Sequence, residues 1–366
     1  MQSPSASESP SSLPAIRRLL IVRLGSMGDI LHALPAATAL RKALPLATIG
    51  WVVEERWAEL LCTLPEPREG ARSQRRPLVD QVHTVDTKKW REALLSPQTW
   101  ERIGACLSEL RAPRYEVAVD FQGAARSALL ARLSKAPVVY GATQPRENIA
   151  SMFYTRQVLT RGDHVVEQNL SLAEAVVGRS LGLPSVELPR DPGAEKQCDD
   201  WLRREQISEF VLLNPGAGWG AKQWPPERYG NVAQQLAGDG LRALVNFGPG
   251  EENLARVVEA ASTGTAQAVG CTLTELIALT RRARLFMGGD TGPMHLAAAM
   301  GVPVVALFGP TDPARNGPFE TRSVVLRNPL SPTSHRRRAE LDPGLLEVSA
   351  DQVVGAAREL LRSGRG

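Results

Sequence analysis

Four short stretches of this chain carry residue types suited to a phosphorylated, hydroxyl-rich substrate. The fullest lies in residues 284–313, RLFMGGDTGPMHLAAAMGVPVVALFGPTDP. An apolar run breaks at Gly288-Gly289, and Asp290, Thr291 and Gly292 follow where an Ala-rich helix begins, with His295 on its first turns. A helix start exposes amide donors and a partial positive charge, so it suits a phosphate. The same Asp290 also fits a plain N-cap, and His295 a structural polar residue. The second stretch, residues 214–225 (NPGAGWGAKQWP), has three glycines, Gly218 among them. They let backbone approach an anion closely, and Lys222 is placed to neutralise a diphosphate as a point charge. In the third, FGPGEE, Glu251 or Glu252 stands ready to accept hydrogen bonds from ribose hydroxyls, or simply opens a helix in solvent. The fourth is Gly25-Ser26-Met27-Gly28-Asp29, which is not G-x-G-x-x-G and argues only weakly for a dinucleotide. Asp29 reads either as a carboxylate held by a helix dipole or as a general base aimed into a cleft.

Each stretch follows an apolar run and precedes a helical one. In the first half the strand runs are 17–22, 48–53, 82–85, 116–120 and 138–140, and helical spacing covers 30–43, 57–61, 100–111, 125–133 and 164–181. In the second half strands are expected at 210–213, 242–247, near Ala268, and at 285–287 and 304–308, with helices at 226–237, 251–260 and 273–281. Strand, turn and helix repeated in this way predict α/β architecture with parallel sheets covered on both faces. Residues 183–193 (LPSVELPRDPG) lose periodicity and hold three prolines, which places a domain boundary there. The expected units are a disordered Ser/Pro-rich tail at 1–16, domains at 17–185 and 186–345, and a terminal segment at 346–366. In that last segment Ser349 and Gln352 form a capping box for a final helix at 351–362. Residues 65–77, rich in Arg, Pro and Glu, read as a surface loop.

A chain of 366 residues fits two domains, and 43% hydrophobic with 22% charged residues supports full cores. A net charge of +4 is too small to argue nucleic-acid binding, though it suits anionic substrates or an anionic membrane surface. Cationic clusters at 72–76 and 336–338 read as solvated or membrane-facing charge. Cys62, Cys106, Cys198 and Cys271 lack C-x-x-C spacing, so reduced thiols and no zinc site are expected. The first fifteen residues lack the apolar segment of a signal peptide, and no run reaches the length of a membrane span. The Asp-Thr-Gly tripeptide matches aspartic proteases, but those need two such carboxylates on an all-β scaffold. No Asp-x-Asp clamp or H-E-x-x-H calls for a metal.

Six blocks taken in order resemble the heptosyltransferases of glycosyltransferase family nine, which build the inner core of lipopolysaccharide. They are IVRLGSMGDILHALPA, WVVEE, VDFQGAARSALL, PRENIASMFYTR, AKQWPPERY and GGDTGPMHLAAAMGVPVVALFGPTDP. The first, second and fourth look most like members that add the first heptose to Kdo (3-deoxy-manno-octulosonic acid) of lipid A. The resemblance implies a GT-B fold, two Rossmann-like doubly wound domains facing a central cleft. ADP-heptose would lie in the second domain and the acceptor in the first, with the last helix packing back on the first domain. It further implies inverting, metal-independent transfer with no cofactor beyond ADP-heptose as co-substrate. Asp29 matches the family's base, and Lys222 the stabiliser of the departing diphosphate. Gly218, Asp290, Thr291, Gly292, His295 and one of Glu251 and Glu252 match donor-site positions. Arg23, Ser26, Met27, Gly28, Gln122, Arg146, Lys88, Lys89 and Arg91 fall on the acceptor side. The implied setting is a cytoplasmic monomer in peripheral contact with the anionic inner membrane, taking Kdo-lipid A and no nucleic acid. The chain departs from the first-heptose pattern at Asn214-Pro-Gly-Ala-Gly, at Gln168 after His164 and Glu167, and in the 65–77 insertion. Competing readings are a family-nine transferase with another acceptor (second heptose) or another nucleotide sugar, a GT-B nucleotide-sugar epimerase, or a nucleotide-binding or scaffolding module with a degenerate site.

Overall fold

The computed structural model describes residues 16–334 and 340–363, so residues 1–15 of the expected tail and the 336–338 cluster lie outside the described residues. Twelve strands form two six-stranded sheets, parallel throughout. The first contains β1 (Arg18–Val22), β2 (Thr48–Glu54), β3 (Gln81–Val85), β4 (Val117–Asp120), β5 (Val138–Ala142) and β6 (Arg156–Val158). The second contains β7 (Phe210–Asn214), β8 (Arg242–Phe247), β9 (Ala266–Gly270), β10 (Leu285–Gly289), β11 (Val304–Phe308) and β12 (Ser323–Arg327). The orders are β3-β2-β1-β4-β5-β6 and β12-β11-β10-β7-β8-β9. Counted within its own half, each sheet is the doubly wound 3-2-1-4-5-6 arrangement. Strand order therefore reverses between β1 and β4 and between β7 and β10, and ligands of such sheets bind beyond the carboxyl ends of those strands. The loops that leave those four strands carry Arg23 to Asp29, Gln122, the 214–225 stretch and Asp290 to Gly292.

Central strands are buried along their whole length because helices cover both faces. The helix Met27–Ala43 is apolar on nearly every side for a related reason: it packs on Val165–Val177 of its own half and on Gly292–Ala299 of the other. One continuous apolar core accordingly joins Leu19, Ile21 and Trp51 of the first sheet to Phe210, Phe286 and Phe308 of the second. No helix among the described residues is long and apolar enough to cross a membrane.

Three expectations are corrected. The final helix, Ala350–Arg362, does not return to the first domain; it lies on β10, β11, β12 and the helix Pro226–Ala237. Its stripe of Val353, Val354, Ala357 and Leu360 is buried in the second core, and Trp224 Nε1 donates to the Val348 carbonyl at 2.9 Å to hold its approach. The 65–77 segment is irregular, but of its cationic cluster only Arg72 is exposed. Arg76 is 1% exposed, with its guanidinium on the Pro67 and Ala71 carbonyls, and Arg75 pairs with Asp191. The segment thus braces the entry to the second half, where Arg190 N also donates to the Gln74 carbonyl at 2.8 Å. The aperiodic boundary stretch gives way at its end to a helix, Pro192–Arg204, capped by Asp191 accepting from Ala194 N at 2.9 Å.

Candidate active site

The site forms where two helix starts from opposite domains touch. A methyl group at Gly28 would lie 2.5 Å from His295 Cδ2, and one at Gly292 would lie 2.6 Å from Met27 Sδ. Only glycine fits at either position, so Met27 and Gly28 are buried against the helix Gly292–Ala299 and do not face open solvent.

On the first domain, Asp29 is the third residue of Met27–Ala43. Its Oδ2 accepts from Ser26 N at 2.8 Å and Ser26 Oγ at 3.1 Å, and its Oδ1 pairs with Arg23 Nη2 at 2.7 Å. Burial pushes this carboxyl upward, but Arg23, the Ser26 hydrogen bonds and the charge of Arg146 outweigh it and hold it below the usual carboxylate range. Its side chain stays 32% exposed, so the carboxylate is ionised yet reachable. Arg23 is buried, donating also to the Phe121 carbonyl, so it serves Asp29 and is not an open fork for an acceptor. Gln122 is likewise buried; its Oε1 accepts from Leu24 N at 2.8 Å and fixes the loop that follows β1.

On the second domain, Asp290 joins Lys222 to His295. Its Oδ2 meets Lys222 Nζ at 2.5 Å, and its Oδ1 meets His295 Nε2 at 3.0 Å. Burial opposes ionisation here too, but His295 and Lys222 drive the Asp290 carboxyl far below its ordinary value. Its side chain is 5% exposed. Lys222 also stacks over the Trp219 ring at 4.6 Å, so it is a held cation and not a solvated one. Thr291 is the N-cap of Gly292–Ala299, with Oγ1 donating to the Gly289 carbonyl at 3.3 Å.

The structure separates the two glutamates. Glu251 Oε2 accepts from Gly248 N at 2.9 Å, and its carboxylate fills the space over Gly216, where a methyl group would come within 2.1 Å. Glu252 is exposed and accepts from Gly250 N at 3.2 Å. Glu251 therefore faces the Lys222 loop. The glycine that this close approach requires is Gly216, while Gly218 borders open space.

Arg146 is exposed beside Gly123, whose missing side chain leaves room for the Arg146 backbone. Lys88, Lys89 and Arg91 lie on the helix Thr87–Glu92 beyond the edge strand β3. They are exposed, with Lys89 on Asp86 at 2.6 Å and Lys88 near Glu92 at 3.8 Å, on a helix whose first residue, Thr87, donates to the Glu54 carboxylate at the end of β2. Sequence reasoning missed His32. Its ring is 4.2 Å from that of His295 and 5.3 Å from that of His164, and the only signal was a histidine one turn after Asp29.

The family model of Glycosyltransferase family 9 (heptosyltransferase) matches residues 103–344. Lipopolysaccharide heptosyltransferase 1 of Pseudomonas aeruginosa is 30% identical over 356 residues, covering 92% of this chain and 93% of that protein. The solved structure of E. coli heptosyltransferase WaaC with ADP matches with a TM-score of 0.75 at 27% identity, over 94% of this chain and 99% of that one. E. coli ADP-heptose lps heptosyltransferase II, at 18% identity and a TM-score of 0.74 over 95% of this chain and 100% of that one, shares the fold. The two facing doubly wound domains are those of the GT-B fold.

Proposed function

This chain belongs to glycosyltransferase family 9 and is a heptosyl-transferring enzyme, and we propose that it moves heptose from ADP-heptose to the Kdo of the lipopolysaccharide inner core, with inversion and without a metal. The observation that supports the reading is the contact of the two helix starts, Gly28 on His295 and Met27 on Gly292, which brings the helix of Asp29 against the one that follows the Lys222–Asp290 pair.

An acceptor hydroxyl oxygen attacks the anomeric carbon from the Asp29 side, and the bond from that carbon to the ADP β-phosphate oxygen breaks. Asp29 takes the hydroxyl proton. A carboxylate held this low cannot deprotonate an alcohol outright, so the proton moves as the new C–O bond makes the hydroxyl acidic. Such general-base help is worth roughly 10²–10⁴-fold. The negative charge left on ADP is met by Lys222 Nζ and the amides at the start of Gly292–Ala299. Before the donor arrives, Asp290 keeps that lysine in place. Glu251 accepts from the ribose hydroxyls.

The same reading places the enzyme at the cytoplasmic face of the inner membrane. Supporting this, Leu95 is fully exposed and Trp100 is largely so, close in sequence to Lys88, Lys89 and Arg91. Apolar tips among cations suit a shallow seat on anionic lipid.

The test is mass spectrometry of purified protein with ADP-heptose and Kdo-lipid A. A product one heptose heavier is expected. Unchanged Kdo-lipid A beside active transfer to an already heptosylated acceptor would overturn the acceptor assignment.

A further inference from the structure

We propose that His32 is a positioning residue for the transfer: its ring holds His295 against Asp290, and so sets where Asp290 presents Lys222 relative to Asp29. The proposal rests on the site reading given above.

His32 lies three residues beyond Asp29 on Met27–Ala43, so its ring moves with the base. It meets His295 edge-on, at an interplanar angle of 70°. His295 is confined on three sides, by His32, by the bare backbone of Gly28 and by its hydrogen bond to Asp290 Oδ1. Asp290 in turn holds Lys222. The relay therefore runs from the helix of the base through His32, His295 and Asp290 to the lysine that meets the leaving group. No other described side chain of that helix stacks on the His295 ring.

The opposite flank of His32 is fixed as well. His164 packs on it at an interplanar angle of 81°. His164 Nδ1 accepts from Val166 N at 3.1 Å, which leaves Nε2 to donate to the Gly317 carbonyl of the second domain at 3.1 Å. Those roles define a neutral imidazole. Asn169 Nδ2 donates to the His32 carbonyl at 3.1 Å, anchoring the helix at the same level. Burial, with His295, His164 and Arg23 facing it and only Asp290 opposing them, keeps His32 neutral as well. The spacing across the domains is thus set by a neutral His32 ring packed edge-on against His295.

The test is a double-mutant cycle on kcat. His32→Ala should lower kcat by about tenfold or more with the acceptor KM unchanged, and His32→Phe, which restores a ring, should recover most of it. In a His295→Ala background, His32→Ala should add less than about twofold. Asn169→Ala loosens the same helix without touching the ring, so it should lower Tm with kcat within about twofold. Should His32→Ala not yield folded protein, His32→Asn, polar but ringless, reads the same prediction. Full kcat in the ringless variant, losses that multiply in the double variant, or an equal kcat loss in Asn169→Ala would each overturn the proposal. Wild-type turnover in Asp29→Asn and His295→Ala would instead sink the site reading itself, whatever His32 does.

Discussion

Asp29 and Asp290 arise from the same local grammar: an apolar strand, a turn containing glycine, an aspartate and a helix start. Their surroundings part them. Asp29 has one cationic partner, a local cap and an open face. Asp290 is closed off and bound at both oxygens, by a lysine and a histidine. A carboxylate with an open face and one cation can receive a proton. One that is sealed, with a lysine on one oxygen and a histidine on the other, offers no open face to a proton, and so it acts as a clamp. A helix N-terminus favours an anion but does not assign its work; partners and exposure do.

The sharpest way to break this contrast is Asp29→Asn. It should cut kcat by roughly 10²–10⁴-fold, while calorimetry shows ADP binding unchanged; lost ADP affinity would place Asp29 with the clamp. Because Asp29 is held below its usual value, about 3.9, it stays ionised as pH falls through neutrality. The wild-type acid limb belonging to this base should therefore appear only below that value. Next comes Lys222→Met, expected to lower kcat by about 10²–10³-fold and to weaken ADP binding in the same calorimetric assay. Intact ADP affinity would show that Asp290 holds the lysine for stability alone. The smallest effect separates the glutamates: Glu251→Gln should raise the donor KM about tenfold, the size of one charge-assisted hydrogen bond, and Glu252→Gln should leave it within about twofold. Equal shifts would undo the distinction drawn from Gly216.

Much of the scaffold was legible because its central strands are buried on both faces and read as unbroken apolar runs. Arg242–Phe247 and Val304–Phe308 were bounded to the residue. The edge strands Arg156–Val158 and Ser323–Arg327 were missed: the first has one apolar residue, and the second a run of only three bounded by Ser323 and Arg327. Pro192–Arg204 was missed because it fully buries only Leu202. An amphipathic stripe showed that Ala350–Arg362 would bury one face but said nothing of what would cover it. In the site, strand-turn-helix grammar located Asp29, Lys222, Asp290 and His295. It did not reveal the Arg23–Asp29 pair, nor the stacking of His32 on His295, because both depend on how distant segments are brought together. Arg76 misled for a related reason: a run of cations looks solvated until the chain folds its own carbonyls around one of them.

The core shared by the two sheets bears on how the molecule can be divided. Met27–Ala43 covers Gly292–Ala299, and each hides apolar surface of the other. A fragment ending at the domain boundary would leave Met27 and Ile30 without their cover, and the complementary fragment would bare Met294 and Leu296. The two halves look like separable modules in their strand order, yet they share one apolar core. Any division or opening of the molecule along that boundary would expose this packed apolar seam to water.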